Sequence, residues 1–93
     1  MSSLPIPAAM FFSDFASSLL DYNVLSGGAV TGTYRGLSNS DEHGDYVGFL
    51  MDDQPQISAG DKLRTTDGLE CHTVRKIEVD RYNGKPDLFK AYV

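Results

Sequence analysis

The C-terminal third of the sequence, Asp61–Val93, reads DKLRTTDGLECHTVRKIEVDRYNGKPDLFKAYV. Two turn signals, Thr66-Asp67-Gly68 and Asn83-Gly84, separate three runs that are rich in β-branched and aromatic residues. Asp-Gly and Asn-Gly are typical of type I′ turns in β-hairpins, because both turn positions need positive φ angles. This stretch therefore predicts a three-stranded antiparallel meander, with strands at Lys62–Thr66, Glu70–Val79 and Asp87–Val93.

The middle strand of this meander departs from strict alternation, since its apolar residues Val74 and Ile77 are three positions apart. Residues three apart in a regular strand point to opposite faces of the sheet. A bulge near Arg75-Lys76 would bring both side chains to the core and would coil the sheet toward closure. In the same strand we expect Cys71 to be a small buried residue and His72 to be at the surface or half-buried.

The N-terminal third predicts an amphipathic helix from Ala8 to about Tyr22, after an arm that contains two prolines. Apolar residues recur at intervals of four along this stretch, at Phe11, Phe15 and Leu19. A shorter helix that is capped by Ser13-Asp14 is the alternative. A helix with this much aromatic surface needs a neighbour, which could be its own sheet or another subunit.

Two further strands are expected between the helix and the meander, at Ala29–Leu37 and Tyr46–Met51. The second is apolar on both of its faces, which indicates burial on both sides. The polar stretch between these strands, Ser38–Asp45, predicts a loop that is solvated or becomes ordered on a partner.

Together these elements predict a single domain over residues 1–93. Residues 1–22 are its arm and helix, and residues 29–93 are its β-structure. The expected fold class is α+β, with an N-terminal helix and a small, mostly antiparallel, five-stranded β-barrel or sandwich.

Charge is divided unevenly along the chain. Residues 1–60 hold seven acidic residues and one basic residue, whereas residues 61–93 hold six acidic and seven basic residues. The net charge of −5 disfavours specific binding to nucleic acid, although basic and aromatic residues in the last third leave single-strand binding as a weaker alternative. An acidic face of one copy could instead meet the mixed face of another copy.

Catalytic and metal-binding patterns are absent from the sequence. It has no phosphate-binding glycine loop, no C-x-x-C pair and no nucleophile elbow. Cys71 and His72 are adjacent in a predicted strand, so they point to opposite faces and cannot act as a nucleophile–base pair. The spacing of a calcium loop or a zinc site is not matched by the potential ligands of the polar stretch, Asp41, Glu42, His43 and Asp45. We therefore expect no enzymatic activity, metal or cofactor, and the lack of any apolar run near about 18 residues predicts no membrane span.

The succession of motifs resembles that of the small head–tail joining proteins, also called head-completion or attachment proteins, of long-tailed bacteriophages and prophages. Those proteins share an N-terminal helix, a strand ending in glycine and an apolar residue, a long polar loop, an aromatic strand, a G-D-x-L motif and a V-x-x-I motif. The corresponding residues here are Arg35-Gly36-Leu37, Ser38–Asp45, Tyr46–Met51, Gly60-Asp61-Lys62-Leu63, Gly68, Val74 with Ile77, Asp80, Asn83-Gly84 and Leu88. The resemblance covers nearly the whole chain.

This resemblance implies a structural virion protein, assembled in the bacterial cytoplasm, that forms a ring at the portal vertex and joins head and tail. Its partners would be portal or connector proteins and tail proteins, while the free protein could be a monomer. Head completion and tail completion both stay open. The residues expected to make contacts are Asp41, Glu42, His43 and Asp45 of the polar stretch, and Phe11 and Phe15 of the helix. The alternative is a small β-barrel adaptor or regulatory binding module that is unrelated to virion assembly.

Overall fold

A computed structural model describes residues 3–93, and Met1 and Ser2 of the predicted arm lie outside the described residues. Helix α1 spans Ala8–Asp14, and short 3₁₀ turns follow at Ala16–Ser18 and Met51–Asp53. The strands are β1 Leu20–Ser26, β2 Ala29–Asp41, β3 Gly44–Leu50, β4 Lys62–Thr65, β5 Cys71–Thr73, β6 Lys76–Tyr82 and β7 Lys85–Tyr92. They form one antiparallel sheet in the order β5-β4-β1-β2-β3-β7-β6.

The predicted five-stranded barrel or sandwich is wrong, because the sheet has seven strands and is not closed. Within residues 3–93, the edge strands β5 and β6 form no ladder with each other. Only Val74 and Arg75 connect them, and the N–H groups of these two residues donate 2.8 Å hydrogen bonds to Asp61 O and Tyr92 O respectively. The predicted long strand Glu70–Val79 is thus interrupted at Val74 and Arg75, where a bulge was expected. Its first part pairs with β4 and its second part pairs with β7.

Both apolar residues that flank the break reach the core, as their spacing predicted. Val74 is buried in the main apolar cluster, and Ile77 is partly buried against the same cluster. Cys71, in contrast, is exposed rather than buried, because it points to the face of the sheet opposite to buried Leu63 and pairs with exposed Arg64. Its neighbour His72 is half-buried, as expected.

The helix is shorter than the prediction of Ala8 to Tyr22, because the second half of that stretch becomes β1. Tyr22 and Val24 of β1 point to the same face and are completely buried there. A turn at Gly27-Gly28, with φ angles of 60° and 85°, joins β1 to β2 as a hairpin. Positive φ at both turn positions is the geometry that glycine allows without a steric cost.

The stretch Ser38–Asp45 is a β-hairpin, and the predicted loop is therefore wrong. Strand β2 continues to Asp41 and β3 begins at Gly44, which leaves only Glu42 and His43 as the turn. Ser38 pairs with Val47 across this hairpin. The polar end of β2 forms a strand because its backbone pairs with β3, and β3 is itself anchored by buried apolar side chains.

Apolar clusters lie on both faces of the sheet. The main core consists of Tyr22, Val24, Val47, Phe49, Ile57, Leu63, Val74, Phe89 and Ala91. A smaller cluster on the other face joins Ala8 and Phe12 of α1 to Leu88 of β7. Strand β3 therefore has buried residues on both sides, as its sequence indicated, and α1 covers part of the second face.

Candidate interaction surface

Helix α1 is fixed to the sheet by a hydrogen bond at its start and by the smaller apolar cluster. The Asp87 carboxylate accepts the N–H of Ala8 at 2.6 Å, and this N–H has no acceptor within the helix itself. Before the helix, the N–H of Leu4 donates to Arg81 O of β6 at 2.8 Å. These contacts hold one side of α1 against the sheet and leave its other side toward solvent.

The outer side of α1 and the residue after it expose apolar surface. Met10 is 50% exposed, Phe15 is 53% exposed and Phe11 is half-buried. Contiguous apolar surface of this kind marks binding sites more often than isolated apolar residues do. We refer to Met10, Phe11 and Phe15, with the cavity that Phe11 and Phe15 border, as the α1 face.

The cavity of the α1 face has a volume of about 110 Å³ and lies between α1 and the sheet. Phe12, Leu37 and Leu88 contribute its apolar walls, and Asn39, Tyr46 and Asp80 also line it. Gly48 of β3 lies in the same lining. The cavity therefore joins residues from α1, β2, β3, β6 and β7, and its shape depends on how these elements are held together.

Asp80 belongs to a charge cluster that centres on Lys90, a residue that is only 6% exposed. The Lys90 ammonium lies 2.9 Å from Asp41 Oδ2 and 3.0 Å from Asp80 Oδ2. The Tyr92 hydroxyl donates to the same Asp41 oxygen at 2.5 Å. The ammonium also lies 5.1 Å from the ring centroid of Tyr46 and 5.5 Å from that of Tyr92. Two carboxylates share one ammonium, so the cluster carries a formal charge of −1.

The cluster shifts the acidity of its members. Burial alone would raise the pKa of Asp41, but the hydrogen bonds from Tyr92 and Lys90 outweigh it and hold this pKa well below its usual range. Burial would lower the pKa of Lys90, but hydrogen bonds, first among them the one to Asp41, raise it well above its usual range. Burial and the hydrogen bond to Asp41 raise the pKa of Tyr92 to about 12. At neutral pH Asp41 and Lys90 are therefore charged and Tyr92 is neutral.

Arg75 holds the β2–β3 turn from the other side. Its guanidinium donates to His43 O at 2.6 Å and to Val93 O at 3.3 Å. It also lies 5.5 Å from the ring centroid of Tyr92. The turn is therefore clamped between Arg75 and the Lys90 cluster.

The six residues predicted to make contacts fall into two groups in the structure. Phe11 and Phe15 lie together on the α1 face, whereas Asp41, Glu42, His43 and Asp45 lie on the β2–β3 hairpin. The side chains of Glu42 and His43 are 85% and 51% exposed. Asp41 instead directs its carboxylate to Lys90, and its side chain is 26% exposed. A contact between any of these residues and a partner stays a prediction.

The cluster of Lys90, Asp80 and Tyr92 was not predicted from the sequence. One signal was available, because Lys90 stands between Phe89 and Ala91 in an apolar strand, where a lysine needs a partner if it is buried. The identity of that partner could not be seen locally, since Asp41 lies 49 positions away.

Comparison of the chain with family models, with curated proteins and with solved structures gives no significant match. In the part of the chain that the structure describes, no helix has the length and apolar character needed to cross a membrane. Among the same residues, 3–93, no group of three or more His, Cys, Asp and Glu side chains is arranged to hold a metal ion.

Proposed function

We propose that this protein is a structural joining protein of a bacteriophage or prophage virion, which acts by protein–protein contacts at the junction of head and tail. The observation that carries this proposal is the α1 face, where the exposed aromatic side chain of Phe15 borders a mainly apolar cavity and Met10 is exposed on α1. The virion setting comes from the resemblance in the succession of motifs along the sequence.

The α1 face supplies the apolar part of the proposed contact. Phe15 and Met10 are each about half exposed, and Phe11 extends their surface to the cavity. Aromatic side chains that become fully desolvated contribute most of the binding free energy at many interfaces. Burying a fully exposed phenylalanine side chain contributes roughly 1.5–3 kcal/mol, and about half of this remains available at Phe15, which is 53% exposed and is the principal anchor of this surface.

The β2–β3 turn supplies the polar part of the proposed contact. Glu42 and His43 project into solvent, and Asp45 is exposed beside them. Polar rims of this kind influence the rate and specificity of association more than the affinity. Because Arg75 and Lys90 hold the hairpin, these side chains are presented from a rigid support.

A ring is the proposed assembly, and the charge distribution supports it. Basic side chains of β4, Lys62 and Arg64, are exposed near the β5 edge of the sheet, next to a β4–β5 turn that carries the acidic residues Asp67 and Glu70. Exposed acidic side chains lie at the β2–β3 hairpin, on other strands of the same sheet. Complementary patches at different places on one subunit favour head-to-tail contacts, which close into rings when the rotation permits.

Binding to phage heads tests this proposal. Purified protein is mixed with DNA-filled heads that lack tails, and the amount that sediments with the heads is measured together with recovery of infectivity after tails are added. We expect saturable binding and recovered infectivity. A protein that neither binds heads nor restores infectivity would contradict the proposal, and binding to a host protein instead would indicate an adaptor.

A further inference from the structure

We infer that the cavity of the α1 face is an anchor pocket for one aliphatic side chain of a partner protein that carries basic residues beside it. This inference rests on the proposed function, because it specifies the chemistry of the partner that the α1 face binds.

The size of the cavity favours an aliphatic anchor. Its volume is about 110 Å³. An apolar protein cavity that admits benzene measures about 150 Å³. A branched or linear aliphatic side chain, such as that of leucine, isoleucine or methionine, is narrower than an aromatic ring with its methylene group. The cavity should therefore bind such a side chain in preference to phenylalanine or tryptophan.

The construction of the cavity indicates a pocket that is kept open. Protein interiors are close-packed, and voids larger than a water molecule are few. Gly48 lies in the lining, and a Cβ there would approach Leu88 Cδ1 to 3.2 Å, so a larger residue would crowd this wall of the cavity. Phe11 and Phe15 stand at the border, and Phe15 is 53% exposed. An incoming side chain would thus contact the apolar walls formed by Phe12, Leu37 and Leu88 and would desolvate Phe15 at the same time.

The charges around the cavity favour basic residues next to the anchor. Asp80 lines the cavity and belongs to the cluster with Asp41 and Lys90, whose formal charge is −1. Asp14 is exposed immediately before Phe15 and adds a second negative charge at the border. Lysine or arginine beside the anchor would meet this negative potential, whereas acidic neighbours would be repelled.

The same charges disfavour a second copy of this chain as the occupant. Leu69 is 84% exposed and could in principle act as an aliphatic anchor. It lies close to Asp67 and Glu70 in sequence, however, so its insertion would bring acidic groups against acidic groups. A different protein with basic residues around its anchor therefore fits better than Leu69 of a second copy does.

The test uses capped tripeptides and the full chain labelled with ¹⁵N. Lys-Leu-Lys, Lys-Phe-Lys and Glu-Leu-Glu are titrated separately, and the amide shifts of Leu37 and Gly48 are followed by NMR. We expect saturable shifts with Lys-Leu-Lys and about tenfold weaker binding of Lys-Phe-Lys. Glu-Leu-Glu should bind about two- to fivefold more weakly at low salt, with a smaller difference at high salt. No shift with Lys-Leu-Lys, stronger binding of the phenylalanine peptide or equal binding of the glutamate peptide would overturn the inference.

A second experiment repeats the titration with two variants, each of which adds a group to the wall of the cavity from a different strand. Gly48→Ala and Leu37→Phe should each abolish the shifts caused by Lys-Leu-Lys, whereas Val30→Ser, far from the cavity, should keep them. Thermal unfolding shows which variants are folded, and unchanged binding by either folded variant would overturn the pocket. The amide shifts of Leu37 and Gly48 are also followed as the protein concentration is raised without peptide. Shifts that depend on this concentration and are lost in Leu69→Ser would show that a second copy occupies the cavity, and would overturn the inference.

The failure of this inference differs from the failure of the proposed function. If the wild-type protein binds heads and Gly48→Ala binds them equally well, the pocket is contradicted while the joining function stands. If the wild-type protein does not bind heads, the joining function is contradicted, and the tripeptide titration still decides whether the pocket exists.

Discussion

The ammonium group of Lys90 lies 2.9 Å from the carboxylate of Asp41, although 49 positions separate the two residues in the sequence. The contact spans β3 and joins the end of β2 to β7. Asp80 of β6 approaches the same ammonium at 3.0 Å, so three strands of the sheet share one buried charge. The cluster therefore holds both the β2–β3 hairpin and one wall of the cavity.

Replacing Lys90 by methionine should strongly destabilise the protein. The substitution keeps much of the side-chain volume but leaves Asp80, whose side chain is 9% exposed, without its cation. Breaking a buried ion pair on one side costs about 3–5 kcal/mol. Urea unfolding measures the change. The control is Lys85→Met, because Lys85 is exposed at the β6–β7 turn and its replacement should leave the stability nearly unchanged. Equal stabilities of the two variants would contradict a central role for Lys90.

Acid should remove the contribution of Asp41 to stability. The pKa of Asp41 is lowered in the folded protein, whereas an unfolded aspartate titrates near about 3.9. An aspartate whose pKa is lowered by folding stabilises the protein fully at pH values above its pKa in the unfolded state. This stabilisation is lost as the pH falls toward its pKa in the folded state. Asp41→Asn should therefore be less stable than wild type by about 2 kcal/mol at pH 7, since hydrogen bonds to charged groups contribute about that much.

The comparison across pH separates this effect from a general loss of packing. Urea unfolding of wild type and Asp41→Asn at several pH values should show a difference that shrinks steadily below about pH 4. A difference that stays constant down to strongly acidic pH would show that the charge of Asp41 is not responsible.

Replacing Asp87 by alanine should loosen α1 without unfolding the sheet. The substitution removes the acceptor of the Ala8 N–H, a hydrogen bond of 2.6 Å. Losing a capping contact costs about 0.5–2 kcal/mol. Hydrogen exchange should show faster exchange in α1, while the amides of β3 and β7 stay protected. Asp14→Ala, at the exposed end of the same helix, is the matched control and should leave exchange in α1 nearly unchanged.

Replacing Gly36 by alanine should strain the main core. A Cβ at Gly36 would lie 2.7 Å from Val47 Cγ1 and 2.9 Å from Phe49 Cε1. Overpacking of this kind costs about 1–3 kcal/mol. Val30→Ala is the control in the same strand, because Val30 is 53% exposed and its truncation leaves the main core unchanged. The midpoint temperature of thermal unfolding should fall clearly for Gly36→Ala alone. Similar midpoint temperatures for the two variants would contradict the packing described around Gly36.

Local patterns predicted the elements whose signals lie close together in sequence. The turn at Asn83-Gly84 joins β6 to β7, and Asp67-Gly68 lies between β4 and β5, as expected from the dipeptides. The spacing of Val74 and Ile77 correctly placed both residues at the core. These features depend on backbone preferences and on short-range alternation, which a single sequence displays.

Elements that depend on distant partners could not be predicted in the same way. Strand β1 follows directly on a helical spacing of aromatic residues, and its two buried residues, Tyr22 and Val24, are too few to reveal a period of two. Its pairing with β2 and β4 decides its conformation. The burial of Lys90 likewise depends on Asp41 and Asp80, which come together only in the folded sheet.

The most direct test of the central claim is the affinity of Phe15→Ser for DNA-filled, tail-less heads, measured by co-sedimentation beside Val30→Ser. Phe15 and Val30 are both 53% exposed, so the two substitutions remove similarly exposed apolar residues from different places. If the α1 face joins this protein to its partner, Phe15→Ser should bind at least about tenfold more weakly than wild type, while Val30→Ser binds as wild type does. Equal binding by all three proteins would contradict the account.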